Sequence, residues 1–440
     1  MTRRRKRSPV ALNKNVMVGL VSVVVVGSLA AVGGTGYWMW RKNRTASNAL
    51  SRMPPNSFVV ARVDMAQLRA FPPFAELRRT VTHPAPGAGA QETALSRQMQ
   101  DVIARCTFDP LDRVGTIFVG ADRELLAGRS ASAWVASGAH TASPAQATQC
   151  FTAVMQLARG SVTTTQVNGR AVLTPVFRGA TASPRDPSVH FMAGSAVVAE
   201  QAYMPTALRY AYQEAPGLNL SSPLPRMMDR LGAQQAIAVA VDVAAVRAQN
   251  QRTINEFADD LVRANPASAD LTLARQMETG GLALNVVNAG LEGVARGEFA
   301  SATVARPFTA AMQSFWTARK AEIVSTIGEA QQGIGAMRAM AGITGGREAG
   351  ERFDRIDAAF GVARAAVDQV RITQDDRSAV VTITLTPAQV TTLVNAARAA
   401  RDIASDVGRM TGGLPGLMGG QGQPERPIPQ APGGLPQIRF

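Results

Sequence analysis

Phe58-Val59-Val60-Ala61-Arg62-Val63-Asp64-Met65-Ala66-Gln67-Leu68-Arg69-Ala70 reads as a buried strand that ends on an aspartate and runs into a helix. Its second half returns as Val241-Asp242-Val243-Ala244-Ala245-Val246-Arg247-Ala248, again behind an apolar run. A sharper echo follows. Phe151-Thr152-Ala153-Val154-Met155-Gln156 recurs as Phe308-Thr309-Ala310-Ala311-Met312-Gln313, each behind a strand-like run and a proline-bearing helix start. A third and weaker echo sets Thr165-Gln166 with Ala171-Val172-Leu173 against Thr373-Gln374 with Ala379-Val380-Val381. Three echoes in one order predict a duplicated strand-helix, strand-strand-helix, hairpin, strand-helix unit. The fold class expected is α+β, with related subdomains over 56–232 and 233–411.

Within the first unit, strands are expected over 111–119 and 131–138, and one strand over 190–199. A hairpin is expected where two alternating runs flank Asn168-Gly169. The second unit lacks both cysteines and carries a helical insertion over about 314–369. There Ile323, Ile327, Ala330, Ile334, Met337 and Ala341 form one narrow apolar seam. After a glycine turn at 342–346, Phe353, Ile356, Phe360, Ala363, Val367 and Val370 form a second, so the insertion should be an antiparallel helical hairpin. Gly328, Gly333 and Gly335 each cost its first arm about 1 kcal/mol relative to alanine.

Ahead of these units, Val16 to Trp40 contains no charged residue and lies between Arg3-Arg4-Arg5-Lys6-Arg7 with Lys14 and Arg41-Lys42-Asn43-Arg44. As a helix, the stretch is long enough to cross a hydrocarbon core of about 30 Å with some tilt. Tyr37, Trp38 and Trp40 would form its interfacial belt, and the heavier basic collar at 1–15 predicts a cytoplasmic N-terminus. The bulk of the chain is then expected in the periplasm, tethered to a bacterial inner membrane through a linker at 41–55. Ser28-Leu29-Ala30 leaves a cleaved signal peptide as the competing reading.

The formal charge of +14 suggests nucleic acid until it is divided along the chain. Nine of those charges sit in the collar around the apolar run, leaving +5 on the rest, where Arg alternates with Asp and Glu. No basic face with interleaved aromatics is present, so nucleic acid is not an expected partner. Cys106 and Cys150 are the only cysteines and fall in the part expected in an oxidising compartment. A disulfide between them is expected; two buried thiols are the alternative. From residue 412 to 440 the chain is rich in Gly and Pro and poor in apolar residues, the composition of a disordered or polyproline-like tail.

No constellation of catalytic or metal-ligating residues stands out, and no cofactor is expected. His83, His140 and His190 form no pair at helical spacing, no Gly-Lys dipeptide exists for a phosphate loop, and Gly194-Ser195 lacks the flanks of a nucleophile elbow. Asp64 and Asp242 recur in the two units. Each is a candidate general acid or base, but capping of the following helix is the simpler expectation.

Pro54-Pro55 leading through the apolar strand to Asp64 and Leu68-Arg69, with Cys106 before Phe108-Asp109-Pro110 and a later helical Cys150, resembles a loose group of bacterial envelope proteins. The resemblance implies an envelope location and supplies neither an activity nor catalytic residues. The expected function is a non-catalytic interaction or scaffold role beside an envelope protein partner. A ligand-binding or sensor module with its pocket between the repeats, and a hydrolase without a recognisable motif, are the alternatives.

Overall fold

The computed structural model describes residues 50–412 apart from scattered positions and internal stretches, the longer of which are 79–96, 125–131, 138–142, 178–182 and 260–268. The expected span with Tyr37, Trp38 and Trp40, and the tail from 413 onward, lie outside the described residues. Among the described residues no helix is long and apolar enough to cross a membrane.

In chain order the first half supplies β1 (Ser57–Asp64), α1 (Met65–Ala70), β2 (Thr116–Asp122), β3 (Ser132–Ser137), α2 (Pro144–Leu157), β4 (Gly160–Val167) and β5 (Arg170–Phe177). It continues with β6 (Pro187–Met192), β7 (Ser195–Glu200), α3 (Met204–Ala211) and α4 (Pro223–Arg230). The second half supplies β8 (Gln235–Asp242), α5 (Val243–Gln249), β9 (Met277–Val287), β10 (Gly290–Phe299), α6 (Ala302–Thr344) and α7 (Gly346–Gln369). It ends with β11 (Arg371–Asp375), β12 (Ser378–Leu385) and α8 (Pro387–Gly412).

The chain is therefore α+β, and both halves build one sheet, ordered β11-β12-β10-β9-β8-β1-β2-β3-β7-β6-β5-β4 and antiparallel at every pairing. The halves meet where β1 pairs with β8. Asp64 and Asp242 stand 178 positions apart, and so do Ala61 and Val239, which face each other in that ladder. An approximate two-fold axis through the Ala61–Val239 pair therefore carries β1 onto β8, β2 onto β9 and β3 onto β10. The symmetry fails farther out. In the first half β7 and β6 stand between β3 and β5, whereas β10 pairs directly with β12.

The extra hairpin accounts for one departure from the sequence expectation. Residues 190–199 belong to two strands, β6 ending at Met192 and β7 beginning at Ser195. Both strands are buried on both faces, so neither shows the alternation that would have exposed the turn between them. The hairpin at Asn168-Gly169 has both turn residues at positive φ, 51° and 73°, as a two-residue type I′ connection requires.

On one face of the sheet, Val60, Ala238, Ala240 and Ala283 pack beneath Met204 and Leu208 of α3, Met227 of α4 and Leu231 at the C-terminal cap of α4. Gly281 is small for a reason: a Cβ there would lie 2.8 Å from Met227 Cγ, so glycine lets α4 approach the strands. On the opposite face, Phe151 and Met155 of α2 cover the first half with Ile117 and Val189. Phe308 and Ala311 of α6 cover Phe299 and Ala379 in the second.

Helix α6 is 43 residues long, about 65 Å. It begins over the outer strands, where Gln313 Nε2 donates to the Ile372 carbonyl at 2.7 Å. It then continues antiparallel to α7, joined by Lys320–Asp368, Gln331–Asp357 and Arg338–Asp354, each at 2.7 Å. Helix α8 packs along α7, so α7 is the middle of three helices.

Candidate functional site

The repeated aspartates are the first residues to test as chemistry, and the backbone uses both. Asp64 Oδ1 accepts from the N–H groups of Ala66 and Gln67 at 3.0 and 3.1 Å, while Oδ2 accepts from Arg62 at 2.9 Å. Asp242 Oδ1 accepts from the Ala245 N–H at 2.8 Å and Oδ2 from Arg123 at 2.7 Å. Each carboxylate caps a helix with one oxygen and holds an arginine with the other. They also stand apart. Each lies three residues from the two-fold pair in opposite directions, which at strand rise separates them by about 20 Å. Two carboxylates that far apart cannot flank one scissile bond.

The repeated arginines do not supply those ion pairs. Arg247 donates to the backbone carbonyls of Arg275 and Met277, the latter at 3.0 Å. Arg69 sits near Asp112, Asp64 and Asp109, with burial lowering its pKa against their attraction. The partners of the aspartates, Arg62 and Arg123, have no counterpart at the equivalent place in the other unit.

Cys106 and Cys150 form a disulfide with their Cα atoms 4.7 Å apart. It joins the helical residues at 101–106 to α2 inside the core made by Phe151 and Met155. Nearby, Arg78 holds Asp109 and Asp112 together, with 2.6 Å to Asp112 Oδ1; Phe108 and Pro110 lie outside the described residues. His83 and His140 lie outside the described residues.

His190 is buried on β6. Its Nδ1 lies 2.7 Å from the Ala171 carbonyl and its Nε2 lies 2.8 Å from the Tyr212 hydroxyl. With Nδ1 donating to the carbonyl, Nε2 accepts from tyrosine, an arrangement open only to the neutral ring. Burial, and secondarily the charge of Arg170, lower its pKa against the opposing pull of the Ala171 carbonyl. Arg170 lies 3.7 Å over the Tyr212 ring and pairs with Glu214. This cluster fastens the end of α3 to the sheet. Among the described residues no group of three or more His, Cys, Asp or Glu side chains is placed to hold a metal ion.

The least satisfied surface is apolar. On the face opposite α4, Ala61, Val239, Leu282, Ala295 and Val381 form one cross-strand row spanning β1, β8, β9, β10 and β12. Leu282 is 59 % exposed and the other four are only half-buried. Met65 and Leu68 of α1 close one end of this strip beside Val63 and Ile237. Ala245 and Val246 of α5 close the other beside Val59 and Ala121. With α2 and α6 on its flanks, the strip is a helix-rimmed apolar window where the halves meet. Sequence reasoning missed it because partial exposure depends on which helices fail to cover a strand, and no single stretch records that.

No family model matches the chain, and no curated protein does. Among solved structures it is similar to crystal form III of TP0453, at 9 % identity and a TM-score of 0.36, over 79 % of this chain and 97 % of that one. Crystal form I of TP0453 gives 10 % identity and a TM-score of 0.35 over 79 % and 96 %. Likeness of this size is loose, and no argument about function follows from it.

Proposed function

We propose that the chain is a membrane-tethered envelope protein with a non-catalytic interaction role, and that the Leu282 window is where it meets a partner. The observation that carries this reading is the exposed apolar row at the junction of the halves. Five apolar side chains in one cross-strand row, Leu282 59 % exposed and the other four half-buried, make a contiguous strip that binding would cover. The partner is an envelope protein presenting one or two apolar side chains small enough to pass between α1 and α5. The basic collar and apolar run at 1–40 support an inner-membrane tether with the sheet in the periplasm. Both oxygens of Asp64 and of Asp242 are already used in structural bonds, which supports a scaffold over a hydrolase.

A photocrosslinking residue at position 282 in the natively expressed chain tests the reading, with position 322 on the exposed arm as control. A discrete adduct with an envelope protein at 282 alone is the expected result; equal labelling at both positions would count against it. A second reading is favoured by the place of the window, between the two repeats: an apolar small molecule held there by a sensor module. In that case a soluble ligand raises the melting temperature and suppresses the adduct.

A further inference from the structure

The two ends of the sheet are equivalent by the internal duplication and are treated in opposite ways. Strand β4 opens the hairpin that follows α2, and strand β11 opens the one that follows α6 and α7, each after the third strand of its half. Both are terminal strands. The β11 edge is blunted by familiar means. It has only five residues, it carries Arg371 and Asp375, and the Gln313 side chain from α6 occupies its Ile372 carbonyl. Among the described residues the β4 edge has none of these devices. Gly160-Ser161-Val162-Thr163-Thr164-Thr165-Gln166-Val167 contains no charge and no proline, pairs with β5 without a bulge over all eight residues, and exposes Thr163 through Gln166.

Register tells which backbone groups are open. Val167 and Arg170 flank the two-residue turn and are a hydrogen-bonded pair, so Val167, Thr165, Thr163 and Ser161 bond toward β5. Gly160, Val162, Thr164 and Gln166 then point their N–H and C=O groups away from the sheet.

We infer that β4 is a pairing edge, and that its occupant is β4 of a second copy of this chain, joined antiparallel about a two-fold axis at Thr164. Centred there, Thr164 exchanges both backbone bonds with Thr164 of the mate, while Val162 and Gln166 exchange theirs with Gln166 and Val162. Thr163 falls opposite Thr165. No like charges meet, and threonine pairs across strands are favourable. The contact between two eight-residue edges is smaller than the roughly 800 Å² per partner of a stable dimer, so the association is weak, in the range of about 10 µM to about 1 mM, unless a shared membrane concentrates the copies. This surface is separate from the Leu282 window, and the inference stands without the reading given above.

Light scattering on the full-length chain in detergent, corrected for bound detergent, tests it across about 1 µM to about 1 mM. The protein mass is expected to rise toward twofold with concentration. Thr164→Pro removes an outward N–H and should hold the mass at one copy. Thr164→Lys leaves the backbone intact, sets two ammonium groups opposite each other, and should do the same with an unchanged melting temperature. Thr164→Cys should be joined to its mate by a short bifunctional thiol reagent, the native cysteines being already paired. A mass of one copy throughout, or a dimer that persists in the Thr164→Lys variant, would overturn the inference.

Discussion

The two repeated aspartates show what one side chain is doing at a strand end. Asp64 holds two backbone N–H groups and Arg62, so Asp64→Ala should destabilise the fold by about 1 kcal/mol in urea titrations, while Asp64→Asn, which can still cap, should cost a few tenths. Equal losses in both variants would mean that charge, and not the cap, carries the effect. His190 makes a pH prediction whose sign follows from its lowered pKa. Below the ordinary histidine value of 6.5 the unfolded chain takes up a proton that the buried ring refuses, so stability is full above that pH and falls as pH drops below it. Denaturation midpoints at pH 7.5 and 5.5 should therefore differ in the natural chain, and His190→Gln should remove much of that difference. A midpoint difference unaffected by His190→Gln would assign it to other groups. The cap at Asp64 could be read from the sequence because the cap and the helix it serves are neighbours. The His190–Tyr212–Arg170 cluster could not, because its members come from β6, the end of α3 and β5, and only folding makes them adjacent.

At the scale of elements, local signals gave strands and helices where pattern and turn agree. Asn168-Gly169 fixed a hairpin, and the paired apolar seams of α6 and α7 fixed antiparallel arms. Signals failed where burial is total, as in the β6–β7 turn, whose flanking strands are apolar on both faces. The arm also carries a cost. Gly333 and Gly335 lie inside α6 with nothing within 4 Å of where a Cβ would stand. Each alanine substitution should stabilise the helix by about 1 kcal/mol, a factor of about five in local opening. Amide hydrogen exchange along the arm should slow by that factor in Gly333→Ala and again in the double variant. Unchanged exchange would mean that the arm opens only with the whole fold.

Across the whole molecule, one sheet has two halves related by an approximate axis through Ala61 and Val239, the arrangement expected of a duplicated unit. The three echoes were visible in sequence in order; the joining of the halves edge to edge was not, because the β1–β8 ladder pairs the opening strands of the two halves, 178 positions apart in the chain. That joining brings Leu282 to an uncovered place beside the axis, where α1 and α5 rim the window from its two ends. The account turns on whether that window is used. Quantitative mass spectrometry of material purified from native membranes, natural chain against Leu282→Asp, measures this most directly. Leu282 is largely exposed, but Asp is a poor strand former, so the substitution should cost up to about 1 kcal/mol, and the melting temperature is measured beside the binding. One envelope protein should be lost from the variant while its melting temperature stays within about 4 °C, well short of unfolding. An identical set of co-purifying proteins in both samples would contradict it.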